Sequence, residues 1–315
     1  MLDPEAAAHL ELLARGNVPP LEAQSIEITR SQMAVAAGPR EPLASVVDTD
    51  VPGPAGPIPV RIYRTRAQES ANPPQPVIVF FHGGGWILGS LDSHDALCRR
   101  LAKLSDAVVM AVDYRLAPEF RYPAAVVDSE AAVRWVFSEA ESLGLDARRI
   151  AVCGDSAGGN LAAVMTLRLR RLNLAAQVLW YPITNHAYDT PSYAQNSEGY
   201  FLTRATMEWF WDNYLPDPQA GESPDASPMR ADDHRELPPA FVLTAPFDPL
   251  RDEGRAYAAR LVESGVETRF FEHRGMIHGY LRRPDRFPKA VEIAVGATAD
   301  FLRDVFARPL HSDRG

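Results

Sequence analysis

The pentapeptide Gly154-Asp155-Ser156-Ala157-Gly158 has the residue types and spacing that present a serine hydroxyl as a nucleophile. Ahead of it, Arg149-Ile150-Ala151-Val152-Cys153 reads as a short buried strand, and Gly159 to Arg171 behind it reads as a helix rich in Ala, Leu and Met. A serine on so sharp a strand-to-helix turn takes a strained backbone conformation, and glycines two residues to either side remove the Cβ atoms that would collide there. The hydroxyl then stands beside a helix N-terminus, whose free amides favour developing negative charge. Alone, so short a pattern also fits an ordinary turn in a chain with 20 glycines.

Because a serine is a weak nucleophile, it needs a base, an acid that orients the base, and donors for the oxyanion. Among eight histidines, His278 is the favoured base, since Met276-Ile277-His278-Gly279-Tyr280 follows a strand ending near Glu272 and glycines leave its loop free to turn. His273 is the rival, at what reads as a solvated strand terminus between Glu272 and Arg274. The favoured acid is Asp248, on the loop after the strand Ala240 to Thr244. Asp252 and Glu253 compete, but both have a sufficient structural role in opening the next helix. For the oxyanion, His82-Gly83-Gly84-Gly85-Trp86 follows the strand Val77 to Phe81, and its glycines let backbone amides approach a substrate oxygen, with the Ala157 amide as a further donor. No Lys-Ser/Thr follows the glycines, which argues against a phosphate-cradling P-loop. His82 reads as structural and Asp155 is assigned no chemical step.

The elements that must position these residues alternate regularly. Strands at Val77 to Phe81, Ala107 to Val112, Ala176 to Tyr181, Ala240 to Thr244 and Glu267 to Glu272 interleave with helices at Ser93 to Leu104, Ala124 to Leu143, Glu253 to Ser264 and Lys289 to Phe306. Such alternation predicts an α/β fold, a mostly parallel twisted sheet covered by helices on both faces. Ser45 to Asp50 and Pro59 to Tyr63 read as an antiparallel hairpin at its edge. Two segments break the rhythm: residues 1–42, polar and helical, and residues 183–236, a Pro/Asp/Ser-rich stretch carrying Trp209-Phe210-Trp211. A connection that long suggests a lid or substrate-binding structure, with most of its aromatics packing it onto the body and one or two facing a pocket.

Composition narrows the function. The 315 residues are 46% hydrophobic and 23% charged, as in a globular chain with a large core. A formal charge of −9 without a Lys/Arg block argues against nucleic acid and for a small-molecule partner. The N-terminus is acidic, with no basic segment leading into a long apolar run, and the apolar stretches are strand-sized. No signal peptide or membrane insertion is expected, and the cytoplasm is the default location. Cys98 and Cys153 read as reduced core thiols, with neither disulfide nor metal site expected.

Taken together, His82-Gly83-Gly84-Gly85-Trp86, Tyr114-Arg115-Leu116-Ala117-Pro118-Glu119, Gly154-Asp155-Ser156-Ala157-Gly158-Gly159-Asn160, Asp248-Pro249-Leu250-Arg251-Asp252-Glu253-Gly254 and His278-Gly279-Tyr280 resemble the bacterial hormone-sensitive lipase family of α/β-hydrolase carboxylesterases, from about residue 45 to the C-terminus. The resemblance implies a Ser156, Asp248 and His278 triad, with Gly83, Gly84 and Ala157 as oxyanion donors. It implies hydrolysis of short- to medium-chain acyl esters through an acyl-enzyme, no cofactor, and a homodimer as the oligomer. It divides the chain into an N-terminal part of a cap (1–42), a catalytic domain in two parts (43–182 and 237–315) and a cap insertion (183–236). Trp86, Trp209 and Trp211, where the cap is expected to close over the glycine loop, are candidate substrate-binding residues. The chain departs from the family pattern at Pro246, where Gly or Glu is common. Two alternatives share these residues: an amidase or lactonase using the same triad, and a non-catalytic ligand-binding protein like the plant gibberellin receptors, which resemble the family but lack a working triad histidine.

Overall fold

The computed structural model describes residues 1–34, 38–67 and 73–309. Two helices open the chain, α1 (Pro4–Arg15) and α2 (Ile26–Met33), before the hairpin β1 (Ser45–Gly53) and β2 (Gly56–Arg64). The alternating part runs β3 (Gln75–Phe81), α3 (Asp95–Ser105), β4 (Val108–Val112), α4 (Ala124–Glu139), β5 (Leu145–Asp155), α5 (Ala157–Arg168) and β6 (Ala176–Trp180). After α6 (Pro191–Gln195) and α7 (Arg204–Tyr214) it resumes with β7 (Ala240–Thr244), α8 (Arg251–Glu263), β8 (Thr268–Glu272) and α9 (Pro288–Phe306). The sheet order is β1-β2-β4-β3-β5-β6-β7-β8, antiparallel at β1, β2 and β4 and parallel from there on.

Side-chain alternation divides the core into two layers. Val77, Val79 and Phe81 of β3 join Ile150 and Val152 of β5 and Val242 of β7 on the face covered by α4, α5 and α8. Ile78, Phe80, Ala151, Cys153 and Phe241 point to the other face, against α3 and α9. A strand covered on both sides needs apolar residues at every position, which is why β3, β4 and β7 read as continuous hydrophobic runs. The expected elements all form, with shifted ends. The strand before Ser156 begins at Leu145 rather than Arg149, with Leu145 pairing with Gln75 across a register shift. Its helix starts at Ala157, through Gly158 and Gly159, because burial of every residue from Ala157 to Thr166 overrides the weak helix preference of glycine.

The two irregular segments meet above the carboxyl ends of the strands, but only in part. Thr206 of α7 donates to Glu22 at 2.7 Å. Arg30 of α2 donates to the carbonyls of Ile87 (2.8 Å) and Ala117 (2.9 Å) and clamps Glu119 at 2.7 and 2.8 Å. α1 goes elsewhere: Glu5 accepts from the amides of Lys289 and Ala290, both at 3.1 Å, and so caps α9, while the Asp3 amide donates to Gly275. Within residues 1–34, α1 and α2 are therefore fastened to different parts of the structure. Among the described residues no helix is long and apolar enough to cross a membrane.

Glu253 fastens the start of the 183–236 segment to α8. Its buried carboxyl accepts from the Thr184 amide at 2.6 Å, and burial together with the nearby Asp248 pushes its pKa up to about 8. The folded state thus binds a proton here that the unfolded chain releases near its ordinary carboxyl pKa. This contribution to stability is complete below that ordinary value and is lost as pH rises towards 8. Glu253→Gln, which keeps the acceptor and removes the titration, is expected to lose less stability than the parent between about pH 5 and pH 8. Thermal melts of both proteins across that range check it; parallel melting curves at every pH would contradict a protonated Glu253.

Candidate active site

Ser156 sits where β5 breaks into α5, at φ 55 and ψ −117, a conformation that L-residues rarely adopt. Its amide is held by the Trp180 carbonyl at 2.8 Å. The chain folds back so tightly that a Cβ on Gly154 would lie 2.2 Å from the Gly158 carbonyl oxygen, which explains the glycines about the serine.

β7 and β8 bring the other two side chains. Beyond the strands, Phe247 and Ile277 form a parallel bridge with the Phe247 amide donating to the Met276 carbonyl at 3.2 Å. The residues that follow each of them, Asp248 and His278, are thereby set side by side. Asp248 Oδ2 lies 2.7 Å from His278 Nδ1, and His278 Nε2 lies 2.9 Å from Ser156 Oγ. With a carboxylate on one side, Nδ1 carries the proton and donates, which leaves Nε2 to accept from the serine hydroxyl. Asp248 is completely buried; its other oxygen accepts from the Leu250 amide at 2.9 Å. Asn196 braces the loop from the 183–236 segment by donating to the carbonyls of Pro246 (3.2 Å) and Asp248 (3.1 Å), so Pro246 leaves the loop able to deliver the acid. The Tyr181 ring, 4.7 Å from the imidazole, confines it.

The rivals lie outside this chain of hydrogen bonds. His273 is buried rather than solvated, 2.7 Å from the Tyr280 hydroxyl. Asp252 and Glu253 do not act as simple helix-opening charges. Asp252 pairs with Arg251 and Arg255 and accepts from the Ser192 amide at 2.9 Å, so both acids tie α8 to the 183–236 segment.

One expected oxyanion donor is already engaged. The Gly83 amide donates to Asp155 Oδ1 at 2.8 Å, and Gly83 does not line the cavity at Ser156. Gly84 and Gly85 do line it, and among the described residues nothing accepts from their amides or from that of Ala157. The glycine amides left free at the cavity are those of Gly84 and Gly85, one residue on from the expected pair, beside that of Ala157. A side chain at Gly85 would strike the Phe210 ring at 2.1 Å. Asp155 thus links the serine turn to the glycine loop: it also contacts His94 Nε2 at 3.2 Å, while His82 Nδ1 lies 2.9 Å from the Gly83 carbonyl and Tyr114 donates its hydroxyl to the His82 carbonyl at 2.7 Å. Burial raises the Asp155 carboxyl, but His94 and the Gly83 amide outweigh it and hold it below the ordinary aspartate range. Burial and the neighbouring His94 lower His82 to about 3, so this ring is neutral.

The cavity over Ser156 and His278 is mostly apolar. Leu21 and Met33 come from the N-terminal segment, Leu88 from the glycine loop, and Phe201, Leu202 and Phe210 from the 183–236 segment. Gly279 and Arg282 complete the wall. The three expected tryptophans do not line it. Trp86 and Trp211 are fully buried, Trp86 stacked on Tyr214 at 4.1 Å and tilted against Trp211 at 4.6 Å, while Trp209 packs beside Phe210. Burying the larger rings leaves Phe210, the middle residue of the aromatic triplet, to face the serine. Sequence reasoning missed Phe210, Leu21, Met33 and Arg282. Position in the triplet signalled the first, and nothing local signalled the others.

Comparison with known proteins gives the fold and the family. Residues 78–282 match the model of a family described as having the alpha/beta hydrolase fold. The chain is 41% identical to the esterase LipI of Mycobacterium tuberculosis over 81% of each protein, and 37% identical to an ethyl acetate hydrolase of Pseudomonas putida over 89% of this chain and 92% of that one. An ester hydrolase from the metagenome of Lake Arreo, solved with a bipyridine phosphonate derivative, superposes with a TM-score of 0.91 at 39% identity, over 98% of this chain and 100% of that one.

Replacing Asp155 by Ala strands the Gly83 amide and loosens the glycine loop. The expected result is a fall in kcat of about ten- to a hundredfold with KM changed less than about threefold, because loss of one oxyanion donor costs on the order of a hundredfold or more. Steady-state kinetics on 4-nitrophenyl butyrate, with circular dichroism to verify folding, check it.

Proposed function

Because this chain belongs to the hormone-sensitive-lipase-like esterases of the α/β-hydrolase fold, and is a carboxylic ester hydrolase, we propose that it cleaves short- to medium-chain acyl esters through an acyl-enzyme on Ser156. The observation that carries this reading is the unbroken hydrogen-bond chain from Ser156 Oγ through His278 to buried Asp248. Ser156 attacks the ester carbonyl as His278 Nε2 takes its proton, and the Asp248 carboxylate stabilises the imidazolium. The amides of Gly84, Gly85 and Ala157 receive the oxyanion, and they do so with no reorganisation because the loop is already fixed. His278 then protonates the leaving alcohol, and water activated by the same imidazole releases the acid.

The cap in this reading consists of α2 with the turn Leu21–Ala23 and the 183–236 segment. α1, docked on α9, belongs to the catalytic body. Cavity size supports short acyl groups: the apolar space over Ser156 is small, about 60 Å³. The same reading places the enzyme in the cytoplasm as a homodimer. Both cysteines being buried free thiols fits the former, and the outermost strand β8, with Phe270 exposed, offers an edge for the latter.

Ser156→Ala is expected to lower kcat on 4-nitrophenyl butyrate by roughly 10⁶-fold. Asp248→Asn is expected to cost about 10⁴-fold, far more than Asp252→Asn. A fast Ser156→Ala enzyme, or the reverse ranking of the two aspartates, would overturn the assignment. Across a series of 4-nitrophenyl esters, kcat/KM is expected to peak at about four to six acyl carbons, because the cavity over Ser156 is small and apolar; a peak at long chains would argue for a deeper pocket.

A further inference from the structure

Among the described residues, Arg282 and Asp155 are the charged side chains on the cavity wall beside Ser156 and His278. Among the described residues the Arg282 guanidinium makes no hydrogen bond and no ion pair. The neighbouring acids are committed elsewhere. Asp155 is held by the Gly83 amide and His94, and Asp285 is shared by Arg283 and Arg286 at 2.8 and 3.2 Å. Glu5, the next acid along this side, caps α9. Behind Arg282, Arg283 and Arg286 outnumber Asp285, and His9 there is pushed down to about 4 by burial first and then by Arg283 and Arg286, so no free acid lies on that side among the described residues.

A half-buried guanidinium with five donors and no acceptor is an incomplete interaction, and its natural complement is a carboxylate. Its position says which half of an ester would carry that group. Arg282 closes the short turn Tyr280–Arg282 that follows directly on Gly279, with its own amide donating to the Gly279 carbonyl at 3.3 Å. It therefore stands on the same wall as His278, whose Nε2 returns the proton to the departing alcohol oxygen. A group held by Arg282 belongs to the alcohol half.

We infer that Arg282 selects esters whose alcohol half bears a carboxylate, that is, O-acylated hydroxy acids. This rests on the assignment of Ser156 and His278 made above. In such a reaction the acyl carbon–oxygen bond breaks and the acyl group passes to Ser156. The hydroxy acid leaves with the proton that His278 took from the serine, and water then releases the acyl group as its acid. The apolar side chains opposite, Leu21, Met33 and Phe210 among them, accept the rest of the substrate.

The test uses O-acetyl-lactate and 3-acetoxybutanoate against isopropyl acetate, which matches O-acetyl-lactate with a methyl in place of the carboxylate. For the full-length enzyme, kcat/KM for at least one charged ester is expected to exceed that for isopropyl acetate, with KM for that ester rising as salt is added. In Arg282→Met the charged-to-neutral ratio of kcat/KM is expected to fall about ten- to a hundredfold, the worth of a charge-assisted hydrogen bond, mainly through KM. Arg282→Lys is expected to restore part of the ratio. An equal loss on both kinds of ester in Arg282→Met, or a wild type that disfavours both carboxylates, would overturn the inference. Ser156→Ala separates the two readings: if it still hydrolyses isopropyl acetate, the acyl-enzyme assignment itself fails, whereas a dead variant beside an unselective Arg282 removes only the inference about the carboxylate.

Discussion

The backbone of Ser156 is held in a conformation that costs about 1–3 kcal/mol for an L-residue, and much of the surrounding structure keeps it there. The Trp180 carbonyl fixes its amide, β5 is buried on both faces up to Asp155, and α5 packs its first ten residues inside the protein. Strain of this kind persists only where many contacts over-determine it. Its effect is to lift the hydroxyl above the strand ends, toward the imidazole at 2.9 Å and beside the free amide of Ala157.

Asp155 turns the same bend to a second purpose. By accepting from the Gly83 amide it couples the position of the serine to the glycine loop, so that the nucleophile and the amides of Gly84 and Gly85 are placed by one buried carboxylate. Tyr114 and Arg115 support the arrangement from the next loop, Tyr114 on the His82 carbonyl and Arg115 in a two-pronged pair with Asp128. Glu119, which ends that motif, is where α2 is fastened by Arg30. A run of residues with no chemistry of its own is thus the frame on which the reactive loop and the N-terminal segment are both hung.

Buried charge is distributed unevenly about the site. Behind the triad the groups are neutral or compensated: His82 is an uncharged imidazole, Glu253 is protonated at neutral pH, and Asp155 has two partners. On the substrate side Arg282 stands without a partner. Desolvation makes an unpaired charge costly inside a protein, and this is why the inferred substrate carboxylate is assigned to Arg282.

Much of this was legible in the sequence because it depends on residues close together in the chain. The alternation of apolar runs specified a doubly covered parallel sheet, and glycine spacing marked the turn at Ser156. Strand ends pointed to Asp248 and His278, since a side chain one loop beyond a strand must emerge at the same sheet edge. What required the tertiary structure were contacts between distant segments. Gly83, Gly84 and Gly85 are indistinguishable as letters, and only the Asp155 carboxylate, 72 positions away, shows which amide is taken. Trp209, Phe210 and Trp211 are adjacent, yet helical rotation buries one, leaves another on the flank and turns Phe210 to the serine. Composition identified a helical N-terminal segment but not that α1 and α2 go to different places, and Arg282 looked like one more basic residue after the histidine. The chain alone thus determined the chemistry, because a nucleophile, its base and its acid are set by local turns on a regular sheet. Selectivity was decided only in three dimensions, because a pocket wall and an unpaired charge are properties of what the rest of the fold brings, or fails to bring, alongside.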